Sequence, residues 1–598
     1  MNHRTPSRLL AILLAGLLAA CSPTQHDGTP AQQSQPRSDQ AVPGRVAESE
    51  TRPTAQAAAG APTEPRTLAK VAPPIAETTA ANAPPGAAIG KNEAKREANT
   101  RVAADTMSAA VLQQPTAYPL PPMPPEARER YTQLTDNPVK QVAEAPASTF
   151  SIDVDTGSYS NVRRMLNAGH LPPADAVRVE ELINYFPYDY ALPKDGRPFA
   201  VHTEMAPAPW NADRVLLRVG IKGQDVAKQA LPPANVVFLV DVSGSMNSAD
   251  KLPLLKSSIK LLVAEMRAQD RISLVTYASG TRVILPPTPG TEKATISAAI
   301  DALRAGGSTA GASGIQLAYA AAQQSFIKGG INRILLATDG DFNVGIADTR
   351  ELKSMIEEKR KSGISLSTLG FGTGNYNEAM MEQIADVGDG AYSYIDNLME
   401  GHKVLVNEMT STLATIARDV KVQIEFNPAV VKEYRLIGYE NRQLAREDFN
   451  NDQVDAGDIG AGHTVTALYE LTLAGSKASV DPLRYASHSG GESPRGDELG
   501  HLKLRYKEPE ASASQLIDFT LRRQAIKPLD AASSEFRFAT AVAAYGQLLR
   551  GGKYTGSWGY GDVHKLALAN TGSDRYGYRG EFLRLVDLAA ALATRPGR

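Results

Sequence analysis

Cysteine is all but missing: the 598 residues include one, Cys21, so no disulfide can form within a single chain. Histidine is sparse too, with 9 scattered residues, no His-Glu-x-x-His and no cysteine partners, which removes the usual zinc ligand sets. There is no Gly-x-Ser-x-Gly elbow and no Gly-Lys-Ser/Thr phosphate loop, so the patterns lend no support to a serine hydrolase or a nucleotide-dependent enzyme. Charge of one sign is also lacking. The 63 basic and 65 acidic residues leave a net charge of −2 with no strongly basic stripe, which argues against a nucleic-acid partner. The apolar run from Leu9 to Leu18 is too short to span a bilayer stably. What is present, 42% hydrophobic residues over this length, suits a multi-domain protein with several cores.

The amino terminus reads as an export signal over residues 1–20: Arg4 and Arg8, the apolar run, then Ala19 and Ala20. Leu18-Ala19-Ala20-Cys21 resembles the lipobox of bacterial lipoproteins, which implies cleavage before Cys21 and its lipidation. Ser22 at the next position implies sorting to the outer membrane. From 21 to 125 the chain is rich in Ala, Pro, Thr, Gln and Ser, with too few large apolar residues to offset chain entropy by burial. That stretch is expected to be a disordered tether, spanning about 55 Å root-mean-square.

Four blocks follow. Residues 126–231 mix an extended segment, Thr149 to Asp155, with helices near Ser158–Ala168 and Ala176–Phe186 and strands at Phe199–Met205 and Val215–Ile221. They are read as an accessory α+β domain. Residues 232–405 alternate continuous apolar strands, such as Asn235 to Val240 and Arg333 to Thr338, with amphipathic helices. That pattern predicts an α/β fold, a doubly wound and mainly parallel sheet covered on both faces. Residues 406–510 begin with the alternating Val420–Phe426 and read as a β-rich, sandwich-like domain, and 511–598 read as a helical carboxy-terminal region. Trp558 and its neighbouring tyrosines are expected to be buried against those helices.

In a doubly wound sheet, ligands bind beyond the carboxyl ends of the strands, and three polar loops fall there. Asp241-Val-Ser243-Gly-Ser245 follows the first strand, Gly306-Gly-Ser-Thr309 lies between two helices, and Asp339-Gly-Asp341 follows the strand ending at Thr338. Two carboxylates and three hydroxyls, without thiol or imidazole, form a hard oxygen set suited to Mg²⁺, Mn²⁺ or Ca²⁺. So few charges leave coordination positions open. Taken one loop at a time, the same residues also serve as helix caps and turns. Asp341 is read as solvating the rim of the site.

Asp241-x-Ser243-x-Ser245 with Thr309 and Asp339 is similar to the metal-ion-dependent adhesion site of von Willebrand factor A domains, and 232–405 matches their Rossmann-like alternation. The resemblance implies that Ser243 and Ser245 ligate Mg²⁺ directly, that Asp241 and Asp339 act through water or shift to direct contact, and that Thr309 moves with ligand. The wider chain resembles bacterial lipoproteins with an A domain between an associated amino-terminal region and a distinct carboxy-terminal domain. Its supporting phrases are Phe150 to Tyr159, Thr338 to Gly345 and Gly460 to Glu470.

Three further motifs are set aside. Gly370-Phe-Gly372-Thr-Gly374 lacks the third glycine of a dinucleotide loop, because Asn375 stands there, and reads as a strand-helix turn. Asp153-x-Asp155-x-Gly157 has Arg164 where a calcium loop needs a bidentate acid, so it reads as a strand end and helix cap. The acidic stretch Asn450 to Asp458 reads as a solvated hairpin. The expected function is non-enzymatic: a lipid-anchored envelope protein that binds a protein or peptide carboxylate through Mg²⁺, without nucleotide or nucleic acid. The competing readings are a metal-dependent hydrolase or chelatase-associated subunit, with Asp341 as the candidate base, and a purely structural A domain.

Overall fold

The computed structural model describes residues 129–594, apart from 195, 309–310, 341–348, 375, 482–494 and 510. Cys21, the signal and tether read over 1–125, and Thr309 and Asp341 of the predicted site therefore lie outside the described residues. Those described fall within one compact unit, Gln113–Arg598.

In chain order the first elements are β1 (Lys140–Gln141), β2 (Ala147–Ser151), α1 (Gly157–Asn167), α2 (Val179–Asn184), β3 (Phe199–Ala208) and β4 (Asn211–Gly223). The middle of the chain holds β5 (Ala234–Asp241), α3 (Leu252–Glu265), β6 (Arg271–Tyr277), β7 (Thr281–Pro289), α4 (Lys293–Ala302), α5 (Gly311–Gln324) and β8 (Ile331–Thr338). It continues through α6 (Thr349–Arg360), β9 (Ser365–Phe371), α7 (Glu378–Val387) and β10 (Tyr392–Ile395). Then come α8 (Leu398–His402), a π-helical turn Lys403–Asn407, α9 (Met409–Leu413), β11 (Thr415–Phe426), β12 (Val431–Ile437), β13 (Ile459–Gly460) and β14 (Thr464–Leu473). The chain ends with β15 (Glu498–Lys507), β16 (Gln515–Arg522), α10 (Ser534–Leu549), α11 (Tyr560–Leu568) and α12 (Tyr578–Ala593).

The central block is the doubly wound sheet that its alternation predicts. Its strand order is β10-β9-β8-β5-β6-β7, parallel throughout except for β7, which pairs antiparallel with β6. β5 is buried along its whole length because its alternate side chains feed two cores. Val236, Phe238 and Val240 pack with Leu255, Ile259 and Leu262 of α3, whereas Val237 and Leu239 pack with Ile315 and Ala318 of α5 on the other face. Each such side chain contributes about 1.5–3 kcal/mol by leaving water. Small residues let α5 lie close to the sheet: a Cβ on Gly314 would come within 2.9 Å of the Cβ of Tyr277. The edge strand β7 is not among the expected strands. Pro286, Pro287 and Pro289 fit it to an edge, where a missing N–H costs no ladder bond.

The flanking blocks depart from the sequence reading, which drew 126–231, 406–510 and 511–598 as three domains. Their strands interleave in one sandwich. One sheet runs β1-β12-β14-β4-β3, with β4 against β14 from Val215↔Leu471 to Lys222↔Thr464. The other is built on β11, which pairs with β15, with β13 and with β2 through Phe150↔Val422. Val215, Leu217, Val219 and Ile221 face the sandwich interior together with Val422 and Ile424. Leu216, Ile437 and Leu468 face the other way, onto a second core made by α1, α2 and α10 to α12. The sheet carrying β4 is thus covered on both faces. The A module is an insertion between β4 and β11 of that sandwich. The physical reason is pairing: β4 needs β14, and β11 needs β2, to bury their edges.

Smaller differences follow from the same packing. Residues 511–598 open with a strand, β16, before turning helical. The helix expected over 176–186 is a 3-10 turn, Ala174–Ala176, followed by the short α2. Trp558 is half-buried against the helical core, with its ring edge-on to Trp210 at 5.9 Å. The stretch 450–458 is an irregular loop in which Asp452 accepts from Arg505 and Ser514.

Candidate functional site

Asp241 closes β5 at the carboxyl edge of the central sheet and is fully buried. Its Oδ1 accepts from the Ser243 backbone N–H at 2.8 Å and its Oδ2 from the Thr338 hydroxyl at 2.9 Å. The loop after β5 and the loop after β8 are therefore joined through the carboxylate itself. Ser243 is buried, Ser245 is exposed, and their hydroxyls lie 3.0 Å apart. Ser243 precedes a 3-10 turn, Gly244–Asn247, yet makes no side-chain cap bond, so its hydroxyl is turned to Ser245 instead of serving a helix.

The middle loop meets the first through the backbone. Gly244 N donates to Gly307 O at 3.0 Å, and Gly306 N donates to Val242 O at 2.8 Å. Gly307, with φ +90, is fitted there because a Cβ would strike Ser279 Oγ at 2.5 Å. These bonds bring the segment ending at Ser308 against the Ser243–Ser245 turn. In the third loop, Gly340 (φ +86) lets the chain turn against the start of α7, where a Cβ would sit 2.7 Å from Asn377 N. Asp339 is almost wholly buried and lies on the same edge as Asp241.

The electrostatics follow from two buried carboxylates held together. Burial pushes the Asp241 carboxyl up to about 6; bonds from Ser243 pull it back and the negative charge of Asp339 adds to the rise. The donor set is thus anionic, oxygen-only and partly open through Ser245, which is the chemistry a hard divalent cation takes. Asp241, Ser243, Ser245 and Asp339 fit such an ion. Among the described residues no three His, Cys, Asp or Glu stand in metal-holding positions, so the hydroxyls would have to supply part of any coordination.

Two residues absent from the motif complete the site. Lys251, just before α3, places its Nζ 2.9 Å from Asp339 Oδ2. Tyr277, at the end of β6, lies against Asp241 and Thr338 under the site. Neither carries a local signal, because their approach depends on which strand lies beside β5.

The motifs set aside have other partners. Asp153 Oδ1 accepts from Asp155 N, Asp155 Oδ1 accepts from Tyr392 N at 2.8 Å, and both aspartates pair with Arg442. They tie the sandwich to β10, and the cap of α1, Thr156, makes no side-chain bond. Gly370 lies in β9, and Gly372 and Gly374 fall in the strand-helix turn between β9 and α7. A cavity of about 310 Å³ among the flanking blocks is lined by Tyr578 and His463 with others, and one of about 250 Å³ between the A module and its flanks by Asp386 and Arg442 with others.

Comparison with known proteins agrees with this architecture block by block. The von Willebrand factor type A domain model matches residues 235–407, a model described as von Willebrand factor matches 125–218, and the model for the carboxy-terminal part of the uncharacterized protein YfbK matches 411–592. The uncharacterized protein YfbK of Escherichia coli (strain K12) is 56% identical over 469 residues, 77% of this chain and 81% of that one. The magnesium-chelatase 60 kDa subunit of Rhodobacter capsulatus is 28% identical over 169 residues, 27% of this chain and 29% of that one. Among solved structures, a von Willebrand factor type A protein from Catenulispora acidiphila aligns with TM-score 0.38 at 16% identity, covering 66% of this chain and 91% of that chain. The chain belongs to the YfbK family, in which a von Willebrand factor type A domain stands between an associated amino-terminal region and a distinct carboxy-terminal domain.

Proposed function

We propose that this protein is a non-enzymatic, lipid-anchored protein of the bacterial envelope that captures an acidic group of a partner protein through a divalent cation, Mg²⁺ foremost. The observation that carries the reading is the meeting of Asp241, Ser243, Ser245 and Asp339, two buried carboxylates beside a hydroxyl pair, on loops bonded to one another. Thr309, one residue beyond Ser308, would complete the set. A bound dication would supply an open coordination position for a carboxylate from outside. The chain's own part is to hold the oxygens: Thr338 and the Ser243 N–H fix Asp241, and the backbone bonds of Gly244 and Gly306 hold the loops together. None of these groups is an imidazole or thiol, and both carboxylates already have partners, Asp241 in the Ser243 N–H and the Thr338 hydroxyl and Asp339 in Lys251, which favours binding over hydrolysis. Cys21 would anchor the chain, by its likeness to a lipobox residue, in the outer membrane.

The test is a pull-down from envelope extract with the mature chain, run as wild type, as Asp241→Ala and as wild type with EDTA. A partner retained only with intact Asp241 and divalent cation supports the reading; the same partners in all three lanes would end it. A second reading, a subunit serving a metal-handling enzyme, is favoured by the likeness to the Rhodobacter capsulatus chelatase subunit over 169 residues. It predicts copurification with a metal-chelating enzyme rather than with a surface protein.

A further inference from the structure

Lys251 is an unusual lysine. Its side chain is 8% exposed, and its ammonium sits 2.9 Å from the buried carboxylate of Asp339. Lysines are seldom buried unless paired, since an ammonium out of water must recover its hydration from a partner. The stem is threaded as well. It crosses Gly372 in the loop after β9, where a Cβ would lie 2.2 Å from Cε and 2.3 Å from Cγ. Gly372 has φ +73, so both its conformation and its missing side chain suit the crossing. Its carbonyl is held by the Tyr394 hydroxyl at 2.7 Å. Gly372 thus leaves room for the stem that carries one positive charge to the metal-site edge.

We infer that Lys251 is the built-in counter-cation of the site, holding Asp339 when no divalent ion is bound and setting how tightly one binds. The inference rests on the reading that the three loops take a divalent cation. The charge count carries it. Asp241, Asp339 and Lys251 sum to −1, which a dication turns to +1, and the ammonium and the ion then repel across a few ångströms of protein. Without the ammonium, the two buried carboxylates would keep their mutual repulsion and lose the positive charge beside Asp339. Lys251 therefore lowers cation affinity and offsets that repulsion in the cation-free chain.

The experiment is an equilibrium titration with Mn²⁺ alone, free ion being read by electron paramagnetic resonance, on the full chain as wild type, K251M, K251R and D241A. Met keeps the stem over Gly372 and deletes the charge. K251M is expected to bind Mn²⁺ at least about tenfold more tightly than wild type, with K251R close to wild type. In EDTA, K251M should melt several degrees lower and regain the loss on adding Mn²⁺. Tighter binding by G372A, whose added methyl expels the stem, would support the same conclusion. If wild type binds Mn²⁺ in an Asp241-dependent way and K251M binds equally or more weakly, Lys251 only positions Asp339 and the inference is overturned while the cation reading stands. If neither wild type nor K251M binds Mn²⁺ at a site lost in D241A, the cation reading fails and takes the inference with it.

Discussion

Arg163 and Glu400 meet at 2.7 Å, Nη2 to Oε2, with the arginine side chain 3% and the glutamate side chain 1% exposed. The pair joins α1 of the amino-terminal block to α8, just past the last strand of the A module. The same guanidinium also pairs with Asp396 and, through Nη1 at 2.8 Å, with Glu581 of α12, and the Tyr185 hydroxyl donates to Glu400. One side chain therefore holds three parts of the sequence together.

Replacing Arg163 by Met would strand Asp396 and Glu400 as buried carboxylates. Breaking a buried pair from one side costs about 3–5 kcal/mol, so R163M should lower the urea midpoint by that equivalent and separate unfolding of the A module from that of the sandwich. A single transition at the wild-type midpoint would show that the junction does not depend on this residue.

Glu378, at the start of α7, is fully buried, and neither of its carboxylate oxygens makes a hydrogen bond. Burial pushes its carboxyl from 4.5 up to about 8; Arg178 pulls it down and Glu382 and Glu129 push it further up. The folded chain thus keeps a proton that the unfolded chain loses. Stability from this group is whole below pH 4.5 and is lost as pH rises through about 8. Glu378→Gln mimics the protonated form, so it should raise the melting temperature by a few degrees near about pH 8.5 and change it little near about pH 4. Parallel melting curves for the two proteins across that range would refute this account of Glu378.

A ligand that binds only the folded chain stabilises it by linkage, about 2.7 kcal/mol at a hundredfold excess over Kd. Saturating Mg²⁺ should therefore raise the melting temperature of wild type, whereas Asp241→Ala should show no rise and Ser243→Ala a reduced one. Calorimetry with and without EDTA measures this directly. An equal rise in Asp241→Ala would place the cation elsewhere.

Interleaving of the sandwich predicts that the carboxy-terminal region cannot fold by itself. A fragment of residues 411–594 leaves β14 without β4, β11 without β2, and α10 without α1 and α2. Such a fragment should show no cooperative urea transition by circular dichroism, and residues 129–231 added in trans should restore one. A cooperative fold in the isolated fragment would contradict the shared core.

The central sheet was legible because each signal was local. β5 and β8 are continuous apolar runs, α3 spaces Leu252, Leu255, Ile259 and Leu262 along one face, and Asp241, Ser243, Ser245 and Asp339 fall where strands end. The edge strand β7 was missed because a proline-rich run resembles a loop until it is paired. The flanking blocks were misdivided because alternation along β4 states that the strand is half-buried without naming its partner.

By itself the sequence determined the doubly wound class, which polar residues fall at the ends of its strands and the order of the blocks, since side-chain periodicity and turn chemistry act over a few residues. Only the tertiary structure decided that β4 pairs with β14 across the whole inserted A module, that Lys251 crosses Gly372 to reach Asp339, and that Arg163 gathers Asp396, Glu400 and Glu581. Those contacts join residues far apart in the chain. Their strength comes from burial and from charge brought out of water, which arise only once the elements have packed.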